Sequence, residues 1–406
     1  MAKQKVVITG IGVVSPIGIG LENFWQGLLE SRCGIGKISL FDAESFPCRI
    51  AAEVRNFDAT PFMTPREQRA FSRATQFALS AYELARKDSG LTYLDPARTS
   101  VILGTSMNAF DVMEEQIMKN PGGIQRFNEG VGDPMGLLRT ALNGPACAVA
   151  LRAGAENYVT TVSSACASGL DAVGQAFRRV ENDDADMVIC GSVDTPITRL
   201  IYAGFCSANF LSTRNETPEE AVAPFDISHE RHVLGEGASV FILENEKFAR
   251  ARGARSYARI SQFALETENV NQYFLLDKSG EKWRKVIERA LQNQKPDHVN
   301  AHAPSDKSID IAEARAIAQV VAAATPVTSI KGSVGQGMSS AGGFQIAAAA
   351  NTIHTGIIPP IRNHRIADDN SPLLFVTETM RRKVGRVLIS SHGIGGINSA
   401  IMLEEP

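Results

Sequence analysis

The sequence predicts an α/β fold built from two related halves. Short β-branched runs alternate with longer segments of helical periodicity, which is the pattern of an α/β protein. Two stretches, around Cys166 and at residues 331–350, repeat the order of strand, small-residue turn and helix. They indicate an N-terminal half, residues 1–250, and a C-terminal half, residues 251–406, joined by a polar helix at residues 244–253. The predicted strands are residues 6–9, 99–103, 158–162, 187–190, 239–243, 299–301, 327–330 and 387–390.

Length and charge restrict the class of protein. The chain has 406 residues, 44% of them hydrophobic and 21% charged, which is an ordinary globular composition with enough mass for a large core. A net charge of −3 gives no general attraction to nucleic acid or to an anionic membrane. No apolar run approaches the ~18 residues that a membrane span needs. Any partner must therefore be recognised locally.

The cysteines indicate a reducing compartment. The six cysteines show neither a CxxC pair nor a regular framework, so reduced thiols are expected. The first residues lack the apolar stretch of a signal peptide. A cytoplasmic protein is the simplest interpretation. The segment at residues 107–154 has no clean period and is interpreted as a cap or a partner-facing excursion.

Cys166 is the first candidate for chemistry. It follows the predicted strand at residues 158–162 and precedes a helical pattern of apolar residues that starts at Leu170. Free N–H groups and the positive end of a helix dipole favour the thiolate, the reactive form of cysteine. Small neighbours on both sides leave room for an acyl group. A buried, unreactive cysteine is the alternative that these residue types leave open.

The spacing of other motifs argues against cofactor and metal sites. Residues 10–15 imitate a dinucleotide fingerprint but place Ser15 at the third glycine, and residues 331–337 put the lysine before the glycines of a phosphate loop. The seven histidines include no HExxH and no paired Cys/His spacing, so no metal site is expected. Two strand ends remain, carrying His302 and Lys331. A cysteine and a histidine at strand ends indicate covalent acyl chemistry.

Further motifs resemble the β-ketoacyl-acyl-carrier-protein synthases, in particular the elongating, synthase II-like branch of the thiolase-fold condensing enzymes. The resemblance runs nearly from end to end of the chain. It is carried by residues 6–18, by Ser-Ala-Cys-Ala-Ser-Gly at 164–169, Leu-Ser-Thr-Arg-Asn at 211–215, Pro-Phe-Asp at 224–226, Val-Leu-Gly-Glu-Gly at 233–237, Val-Asn-Ala-His at 299–302, residues 331–343 and Gly-Ile-Gly-Gly at 393–396.

The resemblance implies a fold and a set of roles. The fold would be a thiolase-like αβαβα layered sandwich with two pseudo-repeated halves, usually a homodimer, with no bound cofactor. Cys166 would take an acyl chain from the phosphopantetheine of an acyl carrier protein, and the backbone N–H groups of Cys166 and Ile394 would form the oxyanion hole. His302 would support decarboxylation of a malonyl unit. Lys331 and Glu313 would form the polar network behind it.

The active site departs from the family pattern, and the first departure is Gln336. It stands where the family has a second catalytic histidine, and an amide donates a hydrogen bond but cannot act as a base. The initiating branch of the same enzymes uses asparagine there. The family's His-Gly-Thr-Ser-Thr is His-Ala-Pro-Ser-Asp at residues 302–306, so both threonine hydroxyls that would hold the pantetheine arm are absent.

Three pocket positions also differ. The phenylalanine that gates the acyl channel of the family is Ile394 in this chain, and two pocket phenylalanines are replaced by His232 and His392. These imidazoles either add acid and base capacity near Cys166 or form a polar wall, and the sequence leaves both interpretations open.

A basic helix face is the candidate docking site for a carrier protein. Arg66, Arg69 and Arg73 recur at spacings of three and four after Pro65, which predicts one side of a helix. Carrier proteins are acidic, so this face could receive one. An ordinary solvated helix face is the alternative.

Three functions remain compatible with the sequence. The first is decarboxylative condensation of acyl-Cys166 with a malonyl unit, in fatty acid or polyketide-type biosynthesis. The second is transfer or cyclisation of a carrier-bound chain without decarboxylation, as in specialised metabolism, with His302 or His232 as base. The third is a non-catalytic partner subunit of a heterodimeric ketosynthase, against which the retention of Cys166 and His302 argues.

Overall fold

The computed structural model describes residues 3–119, 134–270, 276–368 and 371–406. The strands of the first half are β1 Val6–Ser15, β2 Gly18–Ile19, β3 Ile35–Lys37, β4 Ile50–Ala52, β5 Thr99–Gly104, β6 Val159–Val162, β7 Met187–Asp194 and β8 Gly237–Asn245. Those of the second half are β9 Ala258–Thr267, β10 His298–Asn300, β11 Pro326–Thr328, β12 Ile357–Ile358, β13 Leu374–Phe375, β14 Met380–Arg381, β15 Arg386–Gly393 and β16 Ile397–Glu404.

The described helices follow the same division. The first half contains α1 Leu21–Leu29, α2 Pro65–Ala70, α3 Arg73–Asp88, α4 Phe110–Lys119, α5 Pro134–Thr140, α6 Gly144–Ala153, α7 Ser168–Glu181, α8 Arg199–Ser207 and α9 Glu246–Ala251. The second half contains α10 Glu281–Leu291, α11 Lys307–Ala318, α12 Lys331–Val334 and α13 Ser339–Thr355. The predicted connecting helix is α9. Part of the predicted cap, residues 120–133, lies outside the described residues.

The strand pairing repeats from one half to the other. In the first half the strands lie in the order β1, β8, β7, β5, β6, with two antiparallel pairings followed by two parallel ones. In the second half β9, β16, β15, β10 and β11 follow the same order and the same pattern of directions. Antiparallel pairing of β1 with β9 joins the halves into one sheet. The two pseudo-repeated halves expected from the sequence are confirmed.

Helices form layers inside and outside the sheet. The main core packs α7 and α13 against strands of both halves, with Leu170, Phe177 and Phe344 among its buried side chains. The outer face of the first half is covered by α3 and α6, and that of the second half by α10 and α11. Helix α13 is buried nearly along its length because most of its residues are small or apolar. The result is the αβαβα layering that the family resemblance implies.

The candidate site residues follow the ends of three strands. Strands β6, β10 and β11 end just before Cys166, His302 and Lys331, respectively. The carboxyl ends of parallel strands are where α/β proteins assemble their active sites. All the predicted strands are present with shifted ends, whereas β9 and β16 were not predicted. Within the described residues, no helix is both long and apolar enough to cross a membrane.

Candidate active site

The turn that carries Cys166 is fixed by short backbone and hydroxyl contacts. Ala165 adopts a left-handed conformation with φ 52°, and Ala167 is the N-cap of α7. The Ser168 hydroxyl accepts a hydrogen bond from Ser164 N at 2.8 Å and donates one to Ala165 O at 2.5 Å. A small side chain at position 165 limits the cost of the positive φ. Cys166 is therefore presented at the start of α7, as predicted.

Two glycines let other segments approach this turn closely. A methyl group on Gly393 would lie 2.7 Å from Ser164 O, and one on Gly169 would lie 2.2 Å from Ser339 O. Both distances are shorter than any van der Waals contact. The nucleophile turn is thus in direct backbone contact with the end of β15 and with the start of α13, which come from the second half of the chain.

The Cys166 thiol is buried and protonated at rest. The residue is 5% exposed, and burial raises the pKa of its thiol to about 11. The charge of Lys331 and hydrogen bonds from the Ile394 backbone and the Gln336 side chain oppose this shift without overcoming it. The expectation of a resting thiolate was wrong because desolvation outweighs the N–H groups at the turn. Met338 Sδ lies 3.9 Å from the thiol sulfur.

Two of the groups that contact Cys166 Sγ are ones that the sequence singled out. The Ile394 N–H hydrogen bonds to the thiol sulfur, which puts this donor where an oxyanion hole for an acyl-Cys166 would be. The Gln336 side chain also hydrogen bonds to it, while Gln336 Oε1 has no partner among the described residues. The backbone of Gln336 is held by Val233 O, which accepts its N–H at 2.7 Å.

His302 and Lys331 form a buried pair. Lys331 Nζ lies 2.9 Å from His302 Nδ1, and the Ser391 hydroxyl lies 3.4 Å from the same nitrogen. Burial lowers the pKa of both side chains, and the Lys331 charge lowers that of His302 further. His302 is therefore a neutral imidazole. Its ring is close to that of His392, with centroids 6.4 Å apart.

Glu313 holds the backbone of the His302 loop. From α11 its carboxylate accepts the N–H of His302 at 2.8 Å and that of Ala303 at 2.7 Å, and it also accepts the Ser390 hydroxyl. Burial raises the pKa of Glu313, and these donors together with the charge of Lys331 oppose the shift. Because both oxygens accept hydrogen bonds, the arrangement suits the ionised form. Glu313 positions the loop and contacts neither sulfur nor ring.

His392 is oriented by a buried amide and a carboxylate. Its Nδ1 lies 2.9 Å from Asn398 Oδ1, and Asn398 Nδ2 donates to Glu268 Oε1 at 2.9 Å. Because Glu268 can only accept, the Asn398 oxygen faces His392, whose Nδ1 therefore carries the proton. The ring also packs on Trp283, with centroids 5.1 Å apart. Burial lowers the pKa of His392, so the ring is neutral.

Two residues of the loop after His302 have structural roles: Ser305 and Asp306, the second of which replaces a threonine of the family motif. Ser305 Oγ accepts the N–H of Ala223 at 2.9 Å. Asp306 is the N-cap of α11 and accepts from Ser308 N and Ile309 N at 3.0 and 3.2 Å. The Ser305 and Asp306 side chains are therefore both engaged in hydrogen bonds within the fold.

The predicted arginine stripe is not one helix face. Thr64 and Glu67 form a capping box at the start of α2, with Pro65 as its first residue, so the predicted helix start is confirmed. The helix ends at Ala70, however, and Arg73 opens α3. There it donates to Glu236 Oε1 and Oε2 at 2.6 and 2.9 Å. Arg66 and Arg69 alone remain as exposed basic residues on α2.

Asp194 is a buried residue that the sequence did not single out. Its carboxylate accepts the hydroxyls of Thr105 and Ser106, at 2.8 and 2.7 Å, and the N–H groups of Met107 and Ser339, both at 2.7 Å. Burial raises its pKa, and these donors oppose the shift. Asp194 thereby ties the carboxyl end of β7 to the start of α13. Its position at a strand end was the only signal in the sequence.

The described residues form no typical metal-binding arrangement of side chains. Across residues 3–119, 134–270, 276–368 and 371–406, no group of three or more His, Cys, Asp or Glu side chains is arranged to hold a metal ion. The chemistry available at the strand ends is that of a thiol, neutral imidazoles, an amide and a buried lysine.

Sequence comparisons place both halves in one family. The family model described as "Beta-ketoacyl synthase, N-terminal domain" matches residues 3–249, and "Beta-ketoacyl synthase, C-terminal domain" matches residues 257–365. The granaticin polyketide putative β-ketoacyl synthase 1 of Streptomyces violaceoruber is 36% identical over 99% of both chains. The 3-oxoacyl-[acyl-carrier-protein] synthase 2 of a Synechocystis species is 34% identical over 100% of this chain and 99% of its own.

Solved structures give the same result. A ketosynthase of a type II polyketide synthase, in complex with its acyl-carrier protein and bound to a hexaketide, matches with a TM-score of 0.91 and 26% identity over 100% of both chains. The ishigamide ketosynthase/chain length factor matches with a TM-score of 0.90 and 28% identity over 100% of both chains. The chain thus belongs to the β-ketoacyl synthase family, the thiolase-fold condensing acyltransferases of fatty acid and polyketide biosynthesis.

Proposed function

We propose that this chain condenses an acyl group on Cys166 with a malonyl unit that is carried on the phosphopantetheine of an acyl carrier protein, with loss of carbon dioxide. The observation that carries the proposal is the Lys331–His302 pair beside Cys166, since it supplies a neutral imidazole donor next to the thiol. No separate cofactor enters this reaction, because both reacting groups arrive as thioesters.

The first step is transfer of the acyl chain to Cys166. The thiol sulfur attacks the thioester carbon of the donor, and the negative charge that develops on oxygen is stabilised by the N–H groups of Cys166 and Ile394. The carbon–sulfur bond to pantetheine then breaks, and the departing thiolate takes up the proton that Cys166 lost. Because the Cys166 thiol is protonated at rest, proton loss accompanies the attack.

The second step forms the carbon–carbon bond. As the malonyl carboxylate leaves as carbon dioxide, its electron pair becomes an enolate whose thioester oxygen accepts hydrogen bonds from His302 and from the Gln336 amide. The enolate carbon attacks the acyl carbon on Cys166, and the Cys166 thiolate leaves and takes up a proton. Lys331 and Glu313 act by positioning His302 and its loop.

A non-decarboxylative transfer or cyclisation is the second candidate, and Gln336 is the observation that favours it. The amide contacts Cys166 but is a weaker donor than a cationic histidine, so stabilisation of the enolate is reduced. In that reaction the malonyl carboxylate would be retained. A non-catalytic subunit is disfavoured because Cys166, His302 and Lys331 are assembled together.

We propose two partners for this chain: an acyl carrier protein and a second ketosynthase-like chain. The relatives include a ketosynthase bound to its acyl-carrier protein and a ketosynthase/chain length factor. Strand β6 pairs with β5, and Val159 at its start and the preceding Tyr158 are exposed, as expected of a sheet edge that a second chain covers. We propose a homodimer, with a heterodimer as the alternative.

The proposed division of the chain lies near residue 250, where α9 connects the two halves. We also propose that the reaction takes place in the cytoplasm, since all six cysteines are free thiols, as in a reducing compartment.

Mass spectrometry of both proteins tests the proposed function. The purified chain is incubated with an acyl-carrier protein and then with malonyl-carrier protein, and both partners are weighed after each addition. If condensation occurs, the chain should first gain the mass of the acyl group. After malonyl-carrier protein is added, the chain should lose that mass, and the carrier should gain it while losing the mass of carbon dioxide. Cys166→Ala should remove the first mass gain, and the matched variant Cys33→Ala should keep it. Equal acylation of the Cys166→Ala protein would refute the assignment.

A further inference from the structure

His232 is a buried imidazole with neither ring nitrogen hydrogen bonded. The residue is 7% exposed, and in the part of the chain that the structure describes neither Nδ1 nor Nε2 has a partner. A buried polar group without a hydrogen bond is destabilising, and most such groups in folded proteins are satisfied. The fold therefore keeps a polar side chain here whose two ring nitrogens have no hydrogen-bond partner among the described residues.

The surroundings of His232 are apolar. Its ring stacks on Phe210, with centroids 6.3 Å apart and planes at 22°, and meets Phe205 edge-on at 6.1 Å. Burial and the Lys331 charge lower the pKa of His232 to about 3, so the ring is neutral at pH 7. A neutral imidazole offers one N–H donor and one nitrogen acceptor, whereas its low basicity makes it a poor proton acceptor for catalysis.

The imidazole belongs to the wall beside the nucleophile. Its neighbours Phe205, Leu211 and Val233 lie in the same apolar cluster as Cys166 and Met338. Val233 O accepts the N–H of Gln336, whose side chain contacts the thiol sulfur. His232 is also near enough to the Lys331 and His302 pair to affect its electrostatics. His232 therefore lies against the apolar cluster that contains Cys166.

We infer that the acyl chain carried on Cys166 bears an oxygen near its thioester end, a ketone or a hydroxyl, and that His232 binds this oxygen. A ketone would accept the imidazole N–H, and a hydroxyl could both donate and accept. A saturated chain would place hydrocarbon against both ring nitrogens and leave them without hydrogen bonds. A site built around a polar partner discriminates against a substrate that lacks that partner. The inference rests on the proposed acylation of Cys166, and it makes His232 a residue that determines substrate specificity.

The test compares acyl donors of equal length. N-acetylcysteamine thioesters of hexanoate, 3-oxohexanoate and 3-hydroxyhexanoate are offered to the wild-type chain, and the rate of mass gain on Cys166 is followed by intact-protein mass spectrometry. For each oxygenated donor, the measured quantity is its loading rate divided by the loading rate of hexanoate. This ratio should be about tenfold higher or more in the wild type than in His232→Phe. That variant restores an aromatic ring of similar size between Phe205 and Phe210, and it should load hexanoate faster than the wild type.

Two further variants make the result decisive. His232→Leu gives a second apolar replacement if the phenylalanine variant folds poorly, and melting temperatures establish which proteins are folded. His354→Phe is the matched control, because His354 is an exposed histidine at the end of α13. It should keep the wild-type ratios. The ratio that falls further in His232→Phe, for the ketone or for the hydroxyl, identifies the oxygen.

The possible failures are separable. If Cys166 is acylated but the ratio of oxygenated to saturated loading is the same in wild type and His232→Phe, a water molecule or nothing satisfies His232 and the inference is overturned. If no donor acylates Cys166 in any variant while the same donors acylate a thiol in solution, the proposed acyl transfer is refuted, and so is the inference that rests on it.

Discussion

Lys331 Nζ lies 2.9 Å from His302 Nδ1, and this contact selects the nitrogen of His302 that faces a substrate. In its ammonium form Lys331 has only N–H donors, so Nδ1 then accepts and Nε2 carries the proton. Burial lowers the pKa of Lys331 to about 7, so this form dominates below neutral pH. In the proposed reaction His302 would then donate a hydrogen bond to the enolate oxygen. Since burial and Lys331 both lower its pKa, it performs this role without a charge of its own.

Removal of the lysine should therefore affect decarboxylation more than the thiol. In Lys331→Met the His302 ring is free to take the other tautomer, and we expect malonyl decarboxylation to slow by about tenfold to a hundredfold, mainly in kcat. Alkylation of Cys166 should slow less, because the lysine charge is a secondary influence on its pKa. Lys383→Met changes an exposed lysine and is the control. Decarboxylation at the wild-type rate in Lys331→Met would contradict the positioning role.

The pH dependence of Cys166 reactivity follows from its raised pKa. The thiolate fraction of a group with a pKa of about 11 grows tenfold per pH unit below that value. Alkylation by iodoacetamide should thus rise about tenfold per unit from pH 7 to 9, with no plateau in this range. The rate is read as the mass gain that is absent from Cys166→Ala. A plateau near pH 7 would show a resting thiolate and contradict the desolvated site.

Gln336 should limit the decarboxylation step. Donors around a developing oxyanion typically matter by ~100-fold each, and a neutral amide is polarised less than an imidazole that can become cationic. We expect slow decarboxylation of malonyl-carrier protein by this chain and a rise of about tenfold in Gln336→His, with a much smaller change in Cys166 acylation. Gln336→Leu lacks a donor and should lose the step. Fast decarboxylation by the wild type, with Gln336→His neutral or harmful, would show that glutamine is a competent donor.

Arg66 and Arg69 should contribute to carrier docking by charge. Reversal of both in Arg66→Glu/Arg69→Glu should slow acyl loading from a carrier protein several-fold at low salt and flatten its salt dependence. Loading from a small acyl thioester should not change, because no carrier is involved. Arg250→Glu/Lys383→Glu reverses two exposed charges elsewhere and is the control. An unchanged loading rate at low salt would leave α2 as an ordinary solvated helix.

The site residues could be predicted from the sequence because each one stands next to a recognisable strand pattern in the chain. Cys166, His302 and Lys331 each follow a short β-branched run, and such strand ends are where α/β proteins place their active sites. Among these three strands, parallel pairing joins only β10 and β11, whereas β6 lies at the far end of the sheet, so the approach of Cys166 to the other two residues could not be read from the pattern. The strands β9 and β16 were missed because their partly exposed or interrupted patterns, as at Gln262 and Asn398, lack an uninterrupted β-branched run. Their positions are set by pairing with distant strands, which periodicity does not report.

The errors at Arg73 and Cys166 have physical causes. Ser72 caps a new helix, so the spacing of three and four residues does not continue from α2 into α3, and Glu236 then binds the Arg73 guanidinium. A serine just before Arg73 was the available signal. For Cys166, the dipole and N–H groups of α7 were visible in the sequence. The desolvation that outweighs them comes from residues far along the chain, such as Met338.

The central claim is that acyl-Cys166 is consumed by a decarboxylated malonyl unit. The most direct measurement is a single turnover with acylated enzyme and malonyl-carrier protein labelled with ¹³C in the free carboxyl group. The account predicts that the acyl mass leaves Cys166 as an equal amount of labelled carbon dioxide is released, and that the carrier gains the acyl mass without the label. Departure of the acyl group from Cys166 with the labelled carboxyl retained on the carrier would contradict it.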